Sequence, residues 1–367
     1  MLAVGVSLSF DLCDAIRERR PETVQDIVEV VRQTCRAEFP LKHAFVDLNG
    51  LWARATGRRL CNGVFRRPDG MLVRAKVAET LDVATCEAGL VSFARDLKDR
   101  DVRLVYVQLP GKPDRGGEKL MTLTDALLAG LATNGVETID LRDRYAGTPE
   151  RLRRYFFRTD HHWNLDAVKD AAEILAKSLG DAQGAYAADG WERLVLPDWF
   201  LGSQGKRTGV WFGGVDDLAY WRQRQADGYA IELTAADGSR TLSSGNFDVN
   251  FDGQFAHERG DVHLENAYKI CRGIGGITPA VRHLHGAAPI RRRVALIGDS
   301  FVRPLEAYLA VAVSDVLAVD PRYPCGRTSV REKVLAFKPD VVMVCLNPFA
   351  FVKNKGAYPP YAFCEFP

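Results

Sequence analysis

Short, nearly continuous apolar runs alternating with helical patterns restrict most strongly what this chain can fold into. The runs lie at residues 102–109, 136–141, 294–300, 315–320 and 341–347. A strand that is apolar on both faces needs cover on both, and a parallel sheet flanked by helices supplies it. The intervening helices are legible as well. Residues 86–98 place Leu90, Phe93, Ala94 and Leu97 on one face, a helix near 124–133 stops at Asn134 and Gly135, and a short helix is read near 328–337. Leu165, Val168, Ala172, Leu175 and Leu179 recur at helical spacing behind Asn164, a good N-cap, and end at Gly180. A further helix with Leu305, Tyr308, Leu309 and Ala312 follows residue 300. Strand, helix and strand at these spacings make βαβ units with parallel pairing. The sequence therefore predicts an α/β, three-layer fold around a parallel five-stranded sheet, with the site at the carboxyl ends of the strands.

Around that frame the chain divides into four stretches. Residues 1–80 form an N-terminal extension, with a helix over 21–35 that groups Val24, Ile27, Val28 and Val31, and a hairpin around Asp69 and Gly70. Residues 81–183 are the first half of the α/β domain. Residues 184–290 change texture to Gly, Trp, Tyr, Asp and Ser, and are read as a loop-rich, partly β insert. Residues 291–367 are the second half. Trp163, Trp191, Trp199, Trp211 and Trp221 cluster in or before the insert, as core aromatics or as platforms on which sugars stack.

Composition excludes several classes. Lys+Arg 49 against Asp+Glu 47 leaves a net charge of +2 with no long single-sign run, so no nucleic-acid footprint is present. Arg291, Arg292 and Arg293 read as a solvated approach to a buried strand. The 8 cysteines are scattered singly without a metal-ligand spacing, which argues against a structural zinc and leaves the redox compartment open. The first ten residues are apolar but lack a basic n-region, and read as the stump of a longer anchor rather than an intact signal peptide. No stretch approaches the roughly 20 apolar residues of a spanning helix.

Two constellations carry chemistry. In Arg158-Thr159-Asp160-His161-His162-Trp163-Asn164, an acid, two bases and an aromatic plate sit between a strand-like aromatic run, Tyr155 to Phe157, and an amphipathic helix. Loops held by a rigid scaffold are where catalytic groups concentrate. Asp160 and His162 are two apart, so an extended loop puts them on one side, with Asp160 able to orient His162 as a general base. The second constellation is Gly298-Asp299-Ser300, after an apolar strand and before a helix. There Ser300 fits a nucleophile whose own amide donates to an oxyanion, and also fits a helix cap. A serine hydroxyl needs a base to accept its proton, so each constellation supplies what the other lacks. A metal reading competes, with His283 and His285 joining Asp160, His161 and His162 as ligands, and so does a purely structural role for the loop.

The Thr159-Asp160-His161-His162-Trp163-Asn164 loop, paired with Gly298-Asp299-Ser300-Phe301 downstream, resembles the SGNH-like polysaccharide O-acetyltransferase family. That family includes the alginate O-acetylation proteins and a group named for its Asp-His-His-Trp motif. Weaker similarities run from residue 39 to 347, among them Phe39 to Lys42 with Asn49 and Gly57, Asp69 to Leu72, and Leu109-Pro110-Gly111-Lys112. Others are Phe200-Leu201-Gly202-Ser203, Arg207-Thr208-Gly209, and Asp320-Pro321-Arg322-Tyr323. The resemblance implies an SGNH-hydrolase-like fold with a Ser300, His162 and Asp160 triad, the serine coming last in the chain. It implies an acyl-serine cycle that ends on a sugar hydroxyl or on water, without cofactor or metal. No residue matches the family's oxyanion asparagine; Gly202, Ser203, Arg322 and Tyr323 are the candidates for oxyanion and substrate contacts beside the Ser300 amide. The implied partners are a polysaccharide acceptor and a membrane-bound O-acyltransferase that supplies acyl groups. The implied location is periplasmic or extracytoplasmic, with anchoring through an N-terminal segment. Two further classes remain beside this one: a glycan-binding module with a vestigial site, and a metal-dependent hydrolase at the histidines.

Overall fold

The computed structural model describes residues 42–75, 83–112, 118–224, 227–235, 237–251, 279–322 and 329–351. The predicted helix over 21–35 lies outside them. Helix α1 (Lys42–Ala55) leads into a small antiparallel sheet of β1 (Leu60–Cys61), β2 (Val64–Arg66) and β3 (Leu72–Arg74), with the hairpin at Asp69 and Gly70 as read from sequence. The α/β pattern then begins with α2 (Val83–Lys98), β4 (Arg103–Gln108), α3 (Glu118–Thr133) and β5 (Glu137–Asp140). Two short helices, α4 (Arg142–Ala146) and α5 (Pro149–Tyr155), precede α6 (Leu165–Leu179).

The insert supplies β6 (Trp191–Phe200), α7 (Ser203–Thr208), α8 (Val210–Gly213), β7 (Asp216–Gln223), β8 (Asp227–Thr234), β9 (Arg240–Asn246) and β10 (Ala280–His285). The last stretch carries β11 (Ile290–Gly298), α9 (Arg303–Leu309), β12 (Val313–Val319), α10 (Val330–Phe337) and β13 (Val341–Leu346).

The strands expected from sequence are adjacent and mutually parallel, in the order β5-β4-β13-β11-β12. The sheet continues past β12, where β10, β8 and β9 add on antiparallel and make it 8-stranded. Much of the insert thus extends the main sheet, while β6 and β7 pair with each other beside it. The periodicity explains the difference. Val294 and Leu296 of β11 face one core and Ala295 and Ile297 the other, the double-sided pattern of a central strand. Strand β9 alternates weakly and is mostly exposed, so no apolar run announces it.

The core cluster on one face joins α6 and α9, the helices that flank the predicted chemistry. Helix α6 buries Leu165, Val168, Ala172, Leu175 and Leu179 against it, with Ala167, Ala171 and Ala176 letting the backbone approach closely. Asn164 caps α6 as expected, its side chain accepting from the Ala167 amide at 3.1 Å. The insert is tied to this layer through Tyr308 of α9, whose hydroxyl accepts from the Trp221 amide and donates to the Trp221 carbonyl, at 2.9 and 3.0 Å. Tyr308→Phe strands both backbone groups of β7 at once. Unfolding in urea is expected to show a loss of about 1–3 kcal/mol.

Candidate active site

Ser300 follows the end of β11 at the carboxyl edge of the sheet, where the parallel strands leave their loops. The turn that presents it is tightly packed. A side chain on Gly298 would meet Val302 Cγ2 at 2.3 Å and the Cys345 carbonyl at 2.4 Å, so only glycine lets β11 pass there. Asp299 fixes the next step: one carboxylate oxygen accepts from the Phe301 amide at 3.0 Å, the other from Asn347 Nδ2 at 2.6 Å at the end of β13. Burial raises the Asp299 carboxyl above the usual range, against the opposing charge of Arg322. Asp299 is therefore occupied in shaping the turn, and Ser300 is left facing outward.

The loop from Arg158 to Trp163 is folded so that its acid and base meet that serine. His162 Nε2 lies 2.8 Å from Ser300 Oγ, and His162 Nδ1 lies 2.6 Å from Asp160 Oδ1. The same Asp160 oxygen accepts from the His162 amide at 2.9 Å, and Asp160 Oδ2 accepts from the Ser203 amide. Burial alone would push the Asp160 carboxyl up. The neighbouring His162 and His161, the hydrogen bond from His162 and the Ser203 amide outweigh it and hold Asp160 well below the usual carboxylate range. In this arrangement an ionised Asp160 can accept a proton held on His162 Nδ1, with Nε2 then turned to Ser300 Oγ as an acceptor.

His161 also lies near the acid, its Nδ1 3.2 Å from Asp160 Oδ1, but does not meet Ser300. Its Nδ1 meets Ser203 Oγ at 2.8 Å and its ring lies 3.9 Å from that of His162 between centroids. Burial, then the adjacent His162, lower its basicity, so it stays neutral beside the base. Trp163 is buried and donates from its indole to the Phe301 carbonyl at 3.2 Å, which ties the acid-base loop to the residue after the serine.

Two residues that sequence reasoning did not place at the site hold this loop. Lys112, directly after β4 and the Pro110-Gly111 turn, is buried and donates to the carbonyls of Phe157, Arg158 and Asp160 at 3.0, 3.0 and 2.8 Å. Burial lowers its ammonium to about 7, against the pull of Asp216, Asp160 and Asp69. Asp216, at the start of β7, accepts from the Arg158 amide and from the Thr159 amide and hydroxyl at 3.0, 2.7 and 2.6 Å. The available hints for Lys112 were the family similarity at Leu109-Pro110-Gly111-Lys112 and its position just past a parallel strand, where sites form. Asp216 had none.

The predicted oxyanion and substrate contacts need correction. The Gly202 amide donates to Thr159 Oγ1 at 2.9 Å and the Ser203 amide to Asp160, so both are already used within the scaffold. Gly202 is required for another reason: a side chain there would meet Asp160 Cβ at 2.3 Å. Arg322 folds back onto Asp320 at 2.9 and 2.7 Å and does not line the cavity at Ser300. Tyr323 lies outside the described residues. Ser203 keeps a place through its side chain, on the cavity wall. That cavity, about 210 Å³, is walled by Phe157, Trp163, Leu165, Phe200 and Pro304, with Lys206 beside Ser203, His162 and Ser300.

The metal set also contracts. His283 Nδ1 meets Asn250 Oδ1 at 2.9 Å, and His285 meets the Val311 carbonyl at 3.1 Å and stacks on Tyr229, so neither joins the loop. Among the described residues, Asp160, His161 and His162 form the one group of three or more whose potential ligand atoms all lie within 4.8 Å of one another. Of the tryptophans, Trp163, Trp191 and Trp199 are core, Trp221 is half-buried and Trp211 exposed.

Residues 69–192 match the family model described as the SGNH hydrolase-like domain of acetyltransferase AlgX. The chain resembles the SGNH-like polysaccharide O-acetyltransferases. The matched segment contains Asp160 and His162 and ends before Ser300. Among solved structures, PatB1 of Bacillus cereus is similar with a TM-score of 0.60 at 16% identity, over 79% of this chain and 97% of that one. A DHHW family protein from Eubacterium siraeum reaches 0.58 at 16% identity, over 81% and 94%. At such identities the likeness shows a shared fold, and the SGNH-like character of that fold rests on the family model. No curated protein matches the sequence.

The Lys112 clamp can be tested without knowing a substrate. Lys112→Met removes three donors from the loop that carries Asp160 and His162. Labelling of Ser300 by a serine-directed phosphonate, followed by mass spectrometry, is expected to slow about 10²-fold, as a small displacement of reacting groups does. Gly202→Ala should slow it too, by pushing on Asp160 from the other side.

Proposed function

We propose that this chain is a serine-dependent O-acetyltransferase acting on a bacterial cell-surface or exported polysaccharide through an acyl-serine intermediate. The observation that carries the reading is the continuous hydrogen-bonded line from Asp160 through His162 to Ser300 at the edge of a mostly apolar cavity. The family match over residues 69–192 supports the acetyl group as the cargo.

In the first half-reaction Ser300 Oγ attacks the acetyl carbonyl of an ester donor while His162 Nε2 takes its proton. Asp160 keeps the imidazole in the tautomer with its proton on Nδ1 and stabilises the imidazolium that forms. The developing oxyanion is served by the Ser300 amide and by Lys206, whose ammonium has no ion pair among the described residues and lines the same cavity. Collapse of the intermediate breaks the bond to the donor oxygen, which leaves with the proton held on His162. In the second half a sugar hydroxyl loses its proton to His162 and attacks the acetyl-serine, and the proton returns to Ser300. Water in place of the sugar gives an esterase. The open cavity mouth bears on that balance, since exclusion of water favours transfer.

The partners in this reading are a polysaccharide acceptor and a membrane-bound O-acyltransferase that delivers acyl groups. The location is periplasmic or extracytoplasmic, with attachment through an N-terminal segment. No helix among the described residues is long and apolar enough to cross a membrane.

Ser300→Ala assayed with a chromogenic acetyl ester is the test. Acetate release is expected to fall by at least about 10³-fold, and Asp160→Asn by a similar order through loss of the productive tautomer. Equal rates in wild type and Ser300→Ala would end the proposal. Activity that instead disappears with chelator and returns with metal would move the chemistry to the histidines.

A further inference from the structure

Helix α1 is packed the wrong way round for a surface helix. The face it turns to the protein carries small and polar residues: Asp47 accepts from the Val210 amide at 2.9 Å, Ala53 is buried, and Gly50 is so close to α7 that a side chain would meet the Thr208 carbonyl at 2.1 Å. Its solvent face carries the large apolar ones. Phe45, Leu48 and Trp52 recur at helical spacing and are 56%, 61% and 62% exposed, with Leu51 beside them. Trp211 of α8, 60% exposed, and Leu60 of β1, 54% exposed, belong to elements that contact α1. Most of the large exposed apolar side chains among the described residues gather there, and patches of that kind mark an interaction site.

Charge decides what occupies it. Arg58 and Arg59, directly after α1, and Arg207 of α7, which packs against α1, are exposed, while Asp47, buried on the helix's inner face, is the one acid in residues 42–67. Burial lowers the Arg66 guanidinium, and the neighbouring Arg54, Arg158 and Arg59 add to that shift. Tryptophan and leucine side chains with exposed arginines on the same and adjoining segments, on a helix about 20 Å long, match a bilayer interface: rings and chains enter the acyl boundary and guanidinium groups meet anionic headgroups.

We propose that α1 and Trp211 form a docking surface for an anionic lipid bilayer. The α1 helix packs on α7, which carries Ser203 and Lys206, so docking sets the cavity at Ser300 close to the membrane surface. This is distinct from a spanning anchor and does not depend on the acetyl-transfer reading.

The test is co-sedimentation of the whole chain with phosphatidylcholine vesicles with and without phosphatidylglycerol, in wild type and in a Leu48→Ser, Leu51→Ser, Trp52→Ser variant. These side chains are exposed, so the variant should melt as the wild type does. Binding is expected only with phosphatidylglycerol, weakening with salt, and at least tenfold lower in the variant. No binding to anionic vesicles, or equal binding by a folded variant, overturns the proposal. Self-association that the variant abolishes, without vesicle binding, overturns it in favour of a second copy. An unfolded variant moves the same comparison to Arg58→Glu, Arg59→Glu, for which equal vesicle binding is again contrary.

Discussion

The buried carboxylate of Asp160 is the constraint on which the rest of the site depends. It accepts from the His162 ring, the His162 amide and the Ser203 amide, and a buried ionised carboxyl survives only when so supplied. Those donors come from two places in the chain, the loop itself and the start of α7, and the residue's own carbonyl takes a third from Lys112 after β4. Acid, base and serine can therefore be in line only when the first half of the sheet, the insert and β11 are all in place. Asp216 completes the closure by holding Arg158 and Thr159 from β7. The site is a junction of segments far apart in sequence, so its geometry is as stable as the fold.

The same arrangement separates the two neighbouring histidines. Both lie near Asp160, yet only His162 presents its second nitrogen to a hydroxyl at the sheet edge, while His161 is spent on Ser203. Their rings are in contact, so a charge on one is unfavourable for the other. Burial keeps His161 neutral and removes that repulsion. Trp163 then sets the distance, because its bond to the Phe301 carbonyl spans from the base's loop to the serine's turn.

Much of this was legible in the sequence where a local pattern carried it. The five parallel strands showed themselves because a strand buried on both faces is apolar throughout, and the Asp160 to His162 spacing because two residues apart in an extended loop share a side. Strand β9 did not, since it is exposed and lacks a periodic signal. Lys112 and Asp216 were missed because each acts alone, on backbone groups 45 or more residues away in sequence. The amides of Gly202 and Ser203 were misread as oxyanion donors because sequence does not reveal whether an N–H is already paired. Residues 45, 48 and 52 had helical spacing in plain view. Which side of α1 the core would take was fixed only by Gly50, Ala53 and Asp47 packing against α7 and α8.

The central claim is that Ser300 carries the acyl group between donor and acceptor. Brief incubation with an activated acetyl ester, acid quench and peptide mapping by mass spectrometry reads it most directly. The account predicts a single acetyl group on the peptide containing Ser300, which disappears faster when a soluble glycan is added. An acetyl group on Ser203 or a histidine instead, or turnover with no acylated peptide at any time, would contradict it.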